Sequence, residues 1–135
     1  MSSAWVRGTR STGSAFVLAA TLGAAGVLHL VSPRPFEDLI PERLGNPRAW
    51  VLGSGVAELA CAVSLAVPAS RRVGALATAG LFVAVFPGNV TMALKSHPGS
   101  KHLARRPAVA WGRLPLQVPL VLWARAVAVG ATGAR

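Results

Sequence analysis

Glu58 stands near the middle of a long apolar stretch, Asn46 to Ala69, which reads NPRAWVLGSGVAELACAVSLAVPA. A carboxyl group in such surroundings can take up a proton, hold a cation or bind a hydrogen-bonding ligand. Three other apolar stretches carry His29, Asn89 and Gln117, with Arg113 just ahead of the last stretch and Arg125 further along it. Ser54 shares a helical face with Glu58, and Arg113 shares one with Gln117, each pair being four residues apart. At the helical rise, His29 lies about 3–5 Å, Gln117 about 5 Å, Asn89 about 8 Å and Glu58 about 13 Å from the same end of their helices. The candidate cluster is therefore His29, Ser54, Glu58, Asn89, Arg113 and Gln117, gathered in one half of the molecule. The other half is lined by Leu, Ala, Val and Phe.

Two readings of this cluster stay open. In the structural one, the polar groups satisfy one another and set helix register, each bond worth about 0.6 kcal/mol. In the functional one, they line a polar pocket for a small ligand, a quinone headgroup or a proton. The depth of Glu58 favours function, because a carboxylate facing lipid costs at least about 2.5 kcal/mol. Its side chain is expected to point inward, towards His29, Asn89, Arg113 or Gln117.

Other chemistry has weaker support. Cys61 is the one cysteine, so an intrachain disulfide and a CxxC relay are both excluded. It reads as a small core residue. His97 and His102 are five apart across Pro98 and Gly99 in a basic loop, which is a poor metal spacing. Haem is disfavoured because only one histidine lies within an apolar stretch. The cofactor is left unknown, with quinone the one that the cluster admits.

The elements that must position these residues are four transmembrane helices. Of 135 residues, 53% are hydrophobic and 13% charged, against about 25% charged in a typical soluble domain. Mean hydropathy is +0.52. The apolar runs place spans at about 14–31, 49–67, 73–94 and 114–131, in a single all-α domain, an integral membrane four-helix bundle. Pro47 suits the first position of the second span, where its missing N–H costs nothing. Val73 to Leu94 carries no charge and predicts an unbroken third span. Pro115 and Pro119 predict an irregular start to the fourth. The basic, Trp5-bearing segment 1–13 could be the head of a signal peptide, but no small-x-small site follows the first run, which predicts an uncleaved span. The first connection, SPRPFEDLIPERLGNPR, places Phe36, Leu39, Ile40 and Leu44 at helical spacing around Pro41. It predicts a broken amphipathic segment, partly helical, lying at the interface. Trp50 and Trp111 are expected at one interface, Trp5 and Trp123 nearer the other.

A formal charge of +10 in a soluble protein would suggest nucleic acid. Here the basic residues flank the spans and no nucleic-acid motif accompanies them, so anionic lipid headgroups are the expected partner. A protein partner or a second copy is also admitted. The termini and second loop carry Arg7, Arg10, Arg71, Arg72 and Arg135. The first and third loops carry Arg34, Arg43, Arg48, Lys95, Lys101, Arg105, Arg106 and Arg113. By count the second group faces the cytoplasm; its three interleaved acids, Glu37, Asp38 and Glu42, leave the orientation open. Twelve of the fourteen basic residues are arginine and alanine is abundant, which suggests a GC-rich bacterial source.

The order HLVSPRPFEDLIP, NPRAWVLGSGVAELACAVSLAVPASRR, VFPGNVTMAL and RLPLQ…WA resembles the DoxX-like family of small four-helix membrane proteins, over about residues 15–126. The resemblance implies a four-helix bundle in a bacterial plasma membrane with both termini cytoplasmic. Its members have been linked to thiosulfate:quinone oxidoreduction, to a mycobacterial membrane redox complex and, more distantly, to receptor assembly. The lack of a cysteine pair departs from a thiol-relay role. The expected function is a membrane subunit or small-ligand or quinone binder without catalysis of its own. The alternatives are a subunit of a quinone-linked oxidoreductase and a non-catalytic scaffold or assembly factor.

Overall fold

Asn46 starts the helix that carries Glu58, its side-chain oxygen accepting from the Ala49 N–H at 3.3 Å. Gly45, at φ +79°, turns the chain into that cap, a left-handed conformation that glycine adopts without steric cost. Pro47 takes the first helical position as expected, and α3 runs Pro47–Ala66. The computed structural model describes residues 3–132, with side chains for 12–103 and 105–132. Around α3 stand α1 (Ser3–Val31), α4 (Arg71–Ala84), α5 (Phe86–Leu94) and α6 (Pro107–Thr132). A short α2 (Arg34–Glu37) and two 3-10 turns, Glu42–Leu44 and Leu103–Arg105, lie in the connections. The described residues are all helix, turn and loop.

Four stretches are long and apolar enough to cross a membrane: Thr12–Val31, Pro47–Ala66, Arg71–Leu94 and Pro107–Thr132. Neighbours in the ring are α1 and α3, α3 and α4, α4 and α6, α6 and α1. The main core lies towards the α3–α4 turn, where Leu18, Leu22, Leu65, Ala75, Ala79, Ala124 and Val127 are buried. Alanine on facing helices lets the backbones approach closely. A separate, smaller core at the other end joins Met92, Ala93 and Ala110, with Leu39 and Leu114 against it.

Three expectations need correction. The third span is not one helix: α4 stops at Ala84 and α5 begins at Phe86. Pro87 is the cause, because it has no N–H to give the preceding turn. The fourth helix starts at Pro107, seven residues before 114, and continues through Pro115 and Pro119. The first helix begins at Ser3, well before the apolar run. The first connection is partly helical as expected, with α2 and the Glu42–Leu44 turn on either side of Pro41.

Trp50 and Trp111 begin their helices at the same end of the bundle, and both are about half exposed. Trp123 sits towards the other end, its indole N–H donating to Ser14 Oγ at 2.6 Å. Trp5 lies outside the residues whose side chains are described.

Candidate functional site

The site is built on a contact between two glycines. A Cβ on Gly26 would lie 2.8 Å from the Gly55 carbonyl oxygen and 2.9 Å from Leu59 Cγ. One on Gly55 would lie 3.0 Å from His29 Cβ and 3.1 Å from the Gly26 carbonyl oxygen. Neither position has room for a side chain without the helices moving apart, so α1 and α3 meet there backbone to backbone. His29 follows Gly26 by three residues and Glu58 follows Gly55 by three, so each sits on its helix's contact face.

The result is a hydrogen bond of 2.7 Å between His29 Nδ1 and Glu58 Oε2. One proton lies between the two atoms, carried by the imidazole or by the carboxyl. The Glu58 side chain is 9% exposed and that of His29 17%, so the histidine is the more open member. Phe36, from α2, closes over it, the two rings meeting edge to face with centroids 4.3 Å apart.

Asn89 and Gln117 form a second pair, separate from the first. Asn89 Nδ2 donates to Gln117 Oε1 at 3.0 Å, and Gln117 Nε2 donates to the Phe82 carbonyl oxygen. Phe82 lies in the last turn of α4, where carbonyls lose their helical partners. The amide of Gln117 thus satisfies a carbonyl orphaned by the helix break, and Asn89 ties the other half of the broken helix to the same side chain. This pair repairs the backbone and shares no hydrogen bond with Glu58.

The remaining two candidates stand apart. Arg113 is exposed on α6, and Ser54 Oγ donates within its own helix to the Val51 carbonyl at 2.9 Å. Of the named partners for Glu58, only His29 meets it. Sequence reasoning missed Arg71, which is buried at the opposite end of the bundle. Its Nε donates to the Leu65 carbonyl at 2.8 Å and its Nη2 to the Ala66 carbonyl at 3.2 Å, while Ser70 Oγ donates to the Ser64 carbonyl at 3.0 Å. Together they cap the C-terminus of α3, where a cation also suits the helix dipole. The signal was available: a basic residue four positions past the end of the span predicted at 49–67.

Two hollows border these elements. One of about 400 Å³ opens beside the helix break, lined by Val83, Phe86, Gln117 and apolar residues of α6. The other, of about 160 Å³, is lined by Asp38, Leu39, Met92, Lys95 and Arg105. Neither is lined by His29 or Glu58. Among the described residues no three of His, Cys, Asp and Glu gather as a metal site requires.

The fold and site define an all-helical apolar bundle with one ionisable pair on its α1–α3 seam. The chain belongs to the family described as "Domain of unknown function (DUF8561)", whose model matches residues 18–128. That match takes in every candidate residue. No curated protein and no solved structure matches the chain.

Proposed function

We propose that this chain is a DoxX-like integral membrane protein of a bacterial plasma membrane, in which the His29–Glu58 pair binds a proton or a small hydrogen-bonding ligand. It acts as a membrane subunit or ligand binder and has no catalysis of its own. The observation that carries the reading is the 2.7 Å bond between two titratable side chains on helices long enough to cross a bilayer. An intramembrane ionisable pair is expensive to keep, and such pairs mark proton or substrate sites more often than packing. A quinone headgroup is the ligand class that a hydrogen-bonding imidazole and carboxyl suit best. Anionic lipids surround the basic loops, and both termini face the cytoplasm.

The scaffold reading draws on a different observation, the Asn89–Gln117 brace, whose side chains bond to one another and to the Phe82 carbonyl. The quinone-linked oxidoreductase reading requires a redox partner on another chain.

Purified protein, with Glu58→Gln and Glu58→Leu beside it, separates these. Absorption spectra and mass spectrometry of co-extracted lipids are expected to show a bound small molecule in the parent that both variants lose. If the parent and both variants carry the same extract and the same stability, Glu58 is a bystander and the scaffold reading stands.

A further inference from the structure

The connection between α1 and α3, residues 32–46, lies across the end of the bundle that holds the pair. On the α3 side it is held by Glu37, whose buried Oε1 has Arg48 Nη1 at 3.6 Å, and by the Leu44 carbonyl, which accepts from Trp50 Nε1 at 2.8 Å. Across the bundle it is held by two cations. Arg105 Nη2 donates to Asp38 Oδ2 at 2.8 Å and to the Pro35 carbonyl at 3.1 Å, and Lys95 Nζ donates to the Asp38 carbonyl at 3.1 Å.

Each attachment includes a solvent-open ion pair, and the Arg48 side chain of the first is 59% exposed. The Asp38 side chain is 66% exposed, and exposed ion pairs contribute little. The 160 Å³ hollow lies under the same residues, so the strap and α5 do not fill the space between them. Pro33, Pro41 and the positive-φ Gly45 bracket the strap with fixed bends. Between the two attachments sits Phe36, edge-on to His29. Neither of the two hollows reaches the pair, and with its side chain 9% exposed the Glu58 carboxyl is largely closed off in this arrangement.

We propose that the strap 32–46 is a gate over the His29–Glu58 pair, with Phe36 as its plug and the Asp38 contacts to Arg105 and Lys95 as its latch. The gate rests on the reading of Glu58 as the functional group and adds how that group is reached: from the end bearing the first and third loops, by release of the latch. A proton or a hydrogen-bonding headgroup then enters beside Phe36, at the more exposed histidine.

Two measurements on the full chain, in lipid nanodiscs, test this. Spin labels on Glu42→Cys and Lys101→Cys, in a Cys61→Ala background, report the strap's distance from the third loop. Modification of Glu58 by dicyclohexylcarbodiimide, read by mass spectrometry, reports access to the pair. With the native latch the distance is expected to be single. Asp38→Asn and Arg105→Gln should each add a longer population and speed modification about fivefold. The charge-swapped pair Asp38→Arg with Arg105→Asp should return both readings towards the parent. Phe36→Ala should speed modification without lengthening the distance. A distance unchanged by both latch variants overturns the gate. So does a strap that lifts while Glu58 reacts at the parental rate, and both results leave the reading of Glu58 standing. Glu58 that stays unmodified in every variant, lifted strap or not, removes that reading and the gate with it.

Discussion

The α1–α3 and α5–α6 seams each carry one side-chain hydrogen bond between polar residues in the same half of the bundle. Their lengths are similar, 2.7 Å for His29–Glu58 and 3.0 Å for Asn89–Gln117. They differ in where the chain of bonds leads. From Gln117 it leads to the Phe82 carbonyl, a group that the broken helix leaves without a partner. From Glu58 it leads to an imidazole that packs edge to face with the Phe36 ring. Polarity and burial do not tell the two pairs apart; the accounting of backbone partners does. An amide pair that ends on an orphaned carbonyl is fold repair. A carboxyl–imidazole pair that satisfies no backbone group needs another reason to be there.

That contrast is most sharply tested by Gln117→Leu, which strands the Phe82 carbonyl and the Asn89 amide together. At about 1–3 kcal/mol for each buried unpaired group, it should give the largest loss of stability in this set. Thermal unfolding in detergent measures it, and ligand content per folded molecule should stay parental. Gly26→Ala comes next. Its Cβ would meet the Gly55 carbonyl oxygen at 2.8 Å, and such overpacking typically costs about 1–3 kcal/mol. Because the same contact sets the spacing of His29 and Glu58, this variant should also perturb the histidine ring resonances in NMR spectra.

Glu58→Gln should cost less than about 1 kcal/mol in stability, since the amide keeps a hydrogen bond to the imidazole. It should nevertheless abolish proton or ligand binding. Glu58→Leu should be less stable than Glu58→Gln by about 1 kcal/mol or more, having left the imidazole unpaired. If Glu58→Gln unfolds as readily as Gln117→Leu, the two seams are alike and the distinction between them fails. The smallest effect belongs to Ser54→Ala, within about 0.5 kcal/mol, because Ser54 bonds only to its own helix. A larger binding loss in that variant would return Ser54 to the site.

Much of the architecture was legible from local properties. Hydropathy placed four apolar stretches because each residue's transfer preference is its own. Pro47 placed the start of α3 for the same reason, since it acts on its immediate backbone. The helical turns of the strap followed from the spacing of Phe36, Leu39, Ile40 and Leu44. The absence of charge from 73 to 94 misled, because it outweighed Pro87, whose missing donor ends α4. The late start given to the fourth helix followed the apolar run from 114, with Pro115 and Pro119 placed in irregular first turns, whereas α6 starts at Pro107 and runs through both.

The sequence alone also supplied His29, Glu58, Asn89 and Gln117 and their shared half of the bundle. Only the tertiary structure decided which of them pair. Depth along a helix follows from counting residues, but pairing depends on which way each helix is turned and which helices are neighbours. The Gly26–Gly55 contact fixes the first for α1 and α3, and the ring order, with α3 beside α1 and α6 beside α5, fixes the second. Glu58 therefore meets His29, and Arg113 stays exposed on α6. Gln117 acquired its role from a carbonyl that is free only because another helix breaks, a long-range cause that no local pattern around Gln117 records.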